Sequence, residues 1–175
     1  MTGKDEAIGY WAKMRGTGRS PLKVAWRTAA IAAAGGIAAI AVLAGLSDWT
    51  SAKWIMAPFG ASCVLAFGLW DSPLAQPRNI IGGHLLSTLV GLVVYHGFGA
   101  GPVGMAVAVG LAIGLMVLTK TTHPPAGADP IVVMTSGSGW SFLFAPVLLG
   151  AIVIVLIALL FNNLDPKRRY PTFWL

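Results

Sequence analysis

The chain has 175 residues, 56% of them hydrophobic and only 10% charged, with 12 Lys and Arg against 6 Asp and Glu. Its mean hydropathy is +0.75, whereas about a quarter of the residues of an ordinary soluble domain are charged. Composition therefore argues against a water-soluble enzyme core.

The charges that remain are unevenly placed. Lys4, Lys13, Arg15, Arg19, Lys23 and Arg27 precede Thr28, and Lys167, Arg168 and Arg169 follow Leu164. Between Thr28 and Leu164 the charged residues are Lys53, Arg78, Lys120, Asp48, Asp71 and Asp129. This is the profile of a polytopic membrane protein with basic tails. The basic balance reads as orientation charge and contact with a lipid bilayer's anionic headgroups. No basic face is interleaved with aromatics, so no nucleic-acid partner is expected. One cysteine, Cys63, excludes an intrachain disulfide and a Cys-rich metal cluster, and no metal or cofactor motif is present. Residues 1–27 are polar and precede an apolar run too long for a signal peptide, so the first span is expected to stay in the membrane.

In chain order, four apolar stretches reach the roughly 20 residues that a helical crossing needs. They run from Thr28 to Ser47, Asn79 to Gly97, Pro102 to Thr119 and Ser141 to Phe161. Between them, Lys53 to Trp70 and Thr121 to Ser138 are too apolar for loops, yet both contain Pro and Gly. Two topologies compete: four crossings with two re-entrant hairpins, or six crossings of which the second and fifth are broken. Both place the termini together, and the basic tails assign them to the cytoplasm. Six crossings also bring Arg78 and Lys120 to the cytoplasmic face and leave uncharged connections at Gly97 to Gly101 and Gly137 to Gly139 outside, so the positive-inside bias favours six. Trp26, Trp49, Trp54, Trp70, Tyr95, Trp140 and Trp174 fall at or near the expected span ends.

An internal similarity points the same way. Lys53-x4-Pro58-x-Gly60-Ala61-Ser62 aligns with Lys120-x4-Pro125-x-Gly127-Ala128-Asp129 at an offset of 67 residues, and Gly83 aligns with Gly150. A unit with three crossings must insert upside down relative to its copy. The expected fold is all-α and polytopic, with six membrane segments as two inverted three-helix repeats. Residues 1–27 form a cytoplasmic segment, 28–164 the membrane domain (repeats 28–97 and 102–164), and 165–175 a cytoplasmic tail.

Lipid offers the backbone no hydrogen-bonding partner, so two symmetry-related breaks mark a polar site. Gly60-Ala61 is expected to interrupt the first segment, with Ser62 capping a helix from Cys63. In the second, Asp129 caps and Pro130 takes the first helical position. Helix N-termini directed at the breaks suit an anion. Plain alternatives stand beside this: Pro58 as a packing kink, Pro124-Pro125 as a turn, Asp129 as a cap and His123 as an interfacial residue. His84, inside the third span, is a functional candidate because an ionisable group is costly there, whereas His96 lies near a span end. Ionised, Asp129 would repel an anion; protonated, it donates a hydrogen bond or carries a coupled proton. Gly83, Ser87 and Gly91 form one small-residue stripe and Gly110 and Gly114 another, which fits helix packing or a homo-oligomer.

The run Lys120-Thr121-Thr122-His123-Pro124-Pro125-Ala126-Gly127-Ala128-Asp129-Pro130 resembles the signature of the HPP family of integral membrane proteins. Ala57-Pro58-Phe59-Gly60-Ala61-Ser62, Asp71 to Asn79 and Gly82-Gly83-His84 are similar to that family as well, and the likeness covers roughly residues 20 to 165. It implies a transporter or channel, since chloroplast and cyanobacterial relatives are associated with nitrite movement. Some relatives add a soluble regulatory domain, which is not expected here. The family is often described with four spans; charge and the repeat favour six.

The expectation is a non-enzymatic inner-membrane transporter or channel for a small monovalent anion such as nitrite. Lys53 and Lys120 would attract it at opposite faces. Ser62, Asn79, Thr121, Thr122 and the backbone at Gly60 and Gly127 would supply donors, with His123 and Asp129 as proton carriers. Pro58, Ala61, His84, Pro124 and Pro125 complete the expected pathway. A ligand-binding scaffold or sensor without flux is the alternative, and an intramembrane enzyme a third reading, with Ser and His scattered along the sequence.

Overall fold

A computed structural model describes residues 10–15, 18–20, 25–50 and 52–175; Lys4 and Lys23 of the basic N-terminal segment lie outside them. All regular structure among the described residues is helical. A single turn, α1 (Tyr10–Lys13), precedes α2 (Trp26–Thr50), α3 (Ala57–Cys63), α4 (Pro77–Phe98), α5 (Pro102–Leu118), α6 (Asp129–Ser136) and α7 (Leu149–Asn163). A wide π-type turn at Val64–Gly68 extends α3, and a 3-10 turn at Pro124–Ala128 leads into α6.

Among the described residues, three stretches are long and apolar enough to cross a membrane: Trp26–Thr50, Pro77–Phe98 and Trp140–Asn163. One of the four expected long helices needs correction, and another closes one residue early. The helix Pro102–Leu118 has 17 residues and ends where Lys120 adopts φ 57°. There the Thr121 N–H donates to Met116 O (2.9 Å) and the Lys120 N–H to Val117 O (3.2 Å), a closing motif that usually places Gly in the left-handed position. The stretch expected from Ser141 to Phe161 is interrupted at Ala145, which is extended (φ −132°, ψ 118°), because the residue before a proline is driven out of the helical region.

The first broken segment is also broken elsewhere than expected. Pro58 sits in the first turn of α3, where a missing N–H costs nothing, so the chain stays helical through Gly60, Ala61 and Ser62. Ser62 is an interior helix residue and caps nothing. The irregularity comes later, at Val64–Gly68 and Leu69 (φ −126°, ψ 45°). In the second segment it precedes the helix, at 121–128. Asp129 is the first residue of α6, one past the N-cap position held by Ala128, and makes no capping bond.

Helix α2 packs on α7 and α4 on α5, while α3 meets the 124–128 turn and α4 meets α6 and α7. Phe59, Phe67, Leu43, Ile80, Val147 and Ile154 fill the centre. Glycines allow the close approaches: Gly35 lies on the Phe67 ring and Gly150 on the Phe59 ring, and a Cβ at Gly83 would come within 2.7 Å of His123 Cβ and 2.9 Å of Thr121 O. Gly91 faces Pro130. The Gly83–Gly91 stripe is thus an intrachain seam. Gly110 and Gly114 meet nothing within 4 Å, so their stripe takes no part in packing within the chain. Outward-facing Ile37, Val103, Val107, Leu111 and Leu160 are exposed, as suits side chains that face hydrocarbon.

Side-chain bonds fix which helix ends lie together. Arg168 Nη1 donates to Phe67 O (3.1 Å) and Asn162 Oδ1 (2.8 Å), and Nη2 donates to Thr28 O (3.4 Å). Asn162 Nδ2 donates to Ala66 O (2.9 Å), so these two residues satisfy carbonyls that the π-type turn would otherwise leave unpaired. The Tyr170 hydroxyl donates to Ala75 O (2.9 Å), and its burial pushes its pKa above the ordinary tyrosine value. The tail after Leu164 therefore folds onto one end of the bundle. That end also holds the starts of α2 and α4 and the end of α5, where Arg78 Nη2 donates to Thr119 O (2.9 Å). At the other end the Trp54 N–H donates to Ser47 Oγ (3.0 Å), and Gly137 (φ 63°) lies beside the Tyr95 hydroxyl. Residues 52–70 thus run from the Thr50 end of α2 back to its Thr28 end, and 121–137 run beside α4 from Gly82 to Tyr95.

Three variants check this structure, by thermal unfolding in detergent. Gly83→Val is expected to cost about 1–3 kcal/mol through overpacking, while Gly110→Ala, facing open space, stays within about 0.5 kcal/mol of the parent. Lys120→Gly is expected to stabilise by about 1 kcal/mol, because it relieves a side chain from the left-handed region.

Candidate functional site

Ser62, His84, His123 and Asp129 come from four separate places in the chain and meet with no solvent exposure at all. Helix α3 presents Ser62 four residues after Pro58, and the Ser62 hydroxyl lies 3.1 Å from Pro58 O. Helix α4 presents His84, its ring edge-on to Phe59. The strand-like residue His123, just before the 3-10 turn, reaches back over Gly83, whose missing side chain makes room for it. Asp129 projects from the first position of α6.

The contacts form a row. Ser62 Oγ is 2.8 Å from His84 Nε2 and 2.8 Å from His123 Nε2. His84 Nδ1 is 2.7 Å from Asp129 Oδ2, to which Thr88 Oγ1 also donates (3.2 Å). At the far end His123 Nδ1 donates to Leu74 O (2.8 Å). Burying such groups is costly unless each finds a partner, and here they find one another. Asp129 Oδ1 and Asn79 Oδ1 are the buried side-chain atoms without a protein partner among the described residues.

Nearby bonds brace the row. Asn79 Nδ2 donates to Thr122 O (2.9 Å), and Ser87 Oγ donates to Ala126 O (2.6 Å), so α4 holds the second broken segment from both sides of His123. Pro125 is buried, Gly127 is half-buried, and Thr121 is half-buried with its hydroxyl paired to that of Thr119. Lys53, Gly60, Ala61, Lys120 and Pro124 are exposed and take no part in the row's hydrogen bonds. Lys53 instead borders a cavity of about 250 Å³ together with Ser136, Ser138 and Ser141.

This geometry excludes one plain alternative and corrects one expectation. His123 is buried and hydrogen-bonded at both ring nitrogens, so it is not interfacial. Ser and His, scattered in sequence, are assembled in space. Sequence reasoning missed Thr88 and the Leu74 carbonyl, and read Ser87 only as part of a small-residue stripe. Thr88 lies four residues after His84, on the same helix face, and that spacing could have found it. Nothing in a leucine marks its carbonyl.

Replacing Asp129 tests whether the row depends on a shared proton. Asp129→Ala leaves His84 Nδ1 and Thr88 unpaired and is expected to cost about 3 kcal/mol or more. Asp129→Asn, whose amide can donate to a bare Nδ1, is expected to cost clearly less by thermal unfolding. Equal losses would contradict the pairing.

Comparison with known proteins places the chain in a family. The chain is 35% identical over 179 residues to a transmembrane protein of Dictyostelium discoideum, covering 95% of this chain and 58% of that one. It is 42% identical over 128 residues to a second transmembrane protein of the same organism, covering 69% of this chain and 45% of the relative. It thus spans about half the length of these curated relatives. No solved structure matches. Residues 21–171 match the pattern described as HPP, transmembrane region, and the chain therefore belongs to the HPP transmembrane family.

Proposed function

We propose that the chain is a membrane transport protein that moves a small monovalent anion, with nitrite as the first candidate, past the junction of its two broken segments. One observation carries the reading: four polar side chains, three of them ionisable, are wholly buried where those segments meet. Ionisable groups within a membrane domain are expensive and concentrate on solute and proton pathways. The anion class rests on the family resemblance and on the basic balance of the chain.

The six-segment inverted repeat belongs to this proposal. An offset of 67 exchanges α2 with α5, α3 with the 124–136 segment and α4 with α7. Under that exchange the pairing of α2 with α7 becomes the pairing of α5 with α4, and both pairings are present. Helix α3 against the 124–128 turn, and α4 against α7, lie across the exchange axis. Both broken segments run from one end of the bundle to the other, which supports six crossings. Lys53 and Lys120 then lie at opposite faces, with the termini in the cytoplasm of an inner (plasma) membrane protein. Gly110 and Gly114, unused within the chain, are available for contact between copies in a homo-oligomer.

A second reading is favoured by one arrangement. Ser62, His84 and Asp129 have the order and distances of a hydrolase triad, which an intramembrane enzyme would use. Against it, Ser62 lies inside a helix, is fully buried, and shares its hydroxyl with a second imidazole. Labelling of the wild type, but not of Ser62→Ala, by a fluorophosphonate would establish that reading; unlabelled wild type dismisses it.

Flux by purified protein in liposomes tests the proposal, with nitrite, nitrate, formate and chloride measured above protein-free vesicles. Nitrite is expected to move, and His123→Ala to slow it at least tenfold, the effect of about 1.4 kcal/mol. Lys120→Ala is expected to slow it most at low ionic strength, as screening would otherwise mask a surface charge. Absence of flux for all four anions would leave a ligand-binding scaffold or sensor.

A further inference from the structure

The buried row also dictates where its protons sit. A carbonyl only accepts, so His123 Nδ1, 2.8 Å from Leu74 O, carries a hydrogen. Three contacts remain along Asp129, His84, Ser62 and His123, at 2.7, 2.8 and 2.8 Å. Each is a hydrogen-bond distance and needs one hydrogen between its two atoms. When the Ser62 hydrogen is one of the three, the whole row is electrically neutral, with two ways of arranging the same protons.

Ser62 has a single hydrogen and decides between them. In the first arrangement Ser62 donates to His123 Nε2 and accepts from His84 Nε2–H, which leaves one proton shared by His84 Nδ1 and Asp129 Oδ2. In the second, His123 Nε2–H donates to Ser62, Ser62 donates to His84 Nε2, and His84 Nδ1–H donates to the Asp129 carboxylate. Passing from one to the other moves the His84 Nε2 proton onto Ser62 Oγ as the Ser62 proton moves onto His123 Nε2. No heavy atom has to shift, and His123 becomes the imidazolium.

Pro58 O adds a third position for the hydroxyl, at 3.1 Å. With Ser62 turned to it, both imidazoles can donate to Ser62 Oγ at once, and the row then holds one extra proton and one positive charge. That charge is the complement of a monovalent anion. The titratable groups facing His123 are His84 from α4 and, beyond it, Asp129 from α6. Cys63 of α3 turns toward α2, and Arg78 turns to Thr119 O. Asn79, Ser87 and Thr88 are neutral.

We propose that Ser62, His84, His123 and Asp129 form a proton relay across the junction of the two broken segments, and that the protein carries its anion together with a proton. The second clause rests on the transport reading above; the first does not.

The test uses the purified protein in liposomes with a trapped pH dye and an inward nitrite gradient, with protein-free vesicles subtracted. The lumen is expected to acidify by one proton per nitrite taken up. Ser62→Ala is expected to lose at least nine-tenths of this coupled uptake, about tenfold or 1.4 kcal/mol, and Ser62→Thr, which keeps the hydroxyl, to retain it. Nitrite uptake with no change in lumenal pH, or undiminished coupling in Ser62→Ala, would overturn the relay while the transport reading stands. If no anion moves at all, the transport reading fails alone. The relay is then judged by nitrogen NMR of the histidine-labelled wild type in micelles. A hydrogen on His123 Nδ1, with acidification adding one at Nε2, supports it; a bare Nδ1, or an Nε2 that stays bare on acidification, overturns it.

Discussion

A polar side chain inside a membrane domain must find its hydrogen-bonding partner in the protein, because the hydrocarbon offers none. The arrangement of this chain follows from that constraint at one point, the Ser62 hydroxyl. Two imidazoles converge on it from elements that are far apart in sequence, and each imidazole is fixed at its other nitrogen, one by Asp129 and one by Leu74 O. The glycines at 83 and 91 let α4 approach the second broken segment closely enough for this to happen. Proline and glycine here do not loosen the structure. They allow short helices to begin and end at depths where side chains can pair.

Much of the fold was legible because hydropathy and charge act over whole segments. The apolar runs marked the helices, and the basic residues marked the ends. Short-range features were less so. Lys120 takes a left-handed conformation that sequence normally announces with Gly or Asn. Pro146 interrupts a run whose hydropathy alone suggested a single helix. Pro58 looked like a breaker but acts as a starter, since proline fits a first turn as readily as it disrupts a middle one.

The site was legible in part, and for a specific reason. Asp129 and Ser62 were singled out as equivalent positions of a repeat, and the structure brings both into one cluster. His84 followed from the cost of an ionisable group within a span. Their mutual contacts were not readable, because Ser62 and His123 are joined only by tertiary packing. The capping roles expected for Ser62 and Asp129 were local readings, and a buried partner outcompetes a local cap when the alternative is an unpaired imidazole. Lys53 and Lys120, which align in the internal similarity, are exposed and take no part in the cluster's hydrogen bonds.

The account depends on the Ser62 hydroxyl and the His123 imidazole being energetically joined. A double-mutant cycle on folding stability in detergent, combining Ser62→Ala with His123→Leu, measures that directly. The account predicts a coupling of about 0.5–3 kcal/mol, as for residues in one hydrogen-bonded network. Losses that simply add, to within about 0.3 kcal/mol, would contradict it.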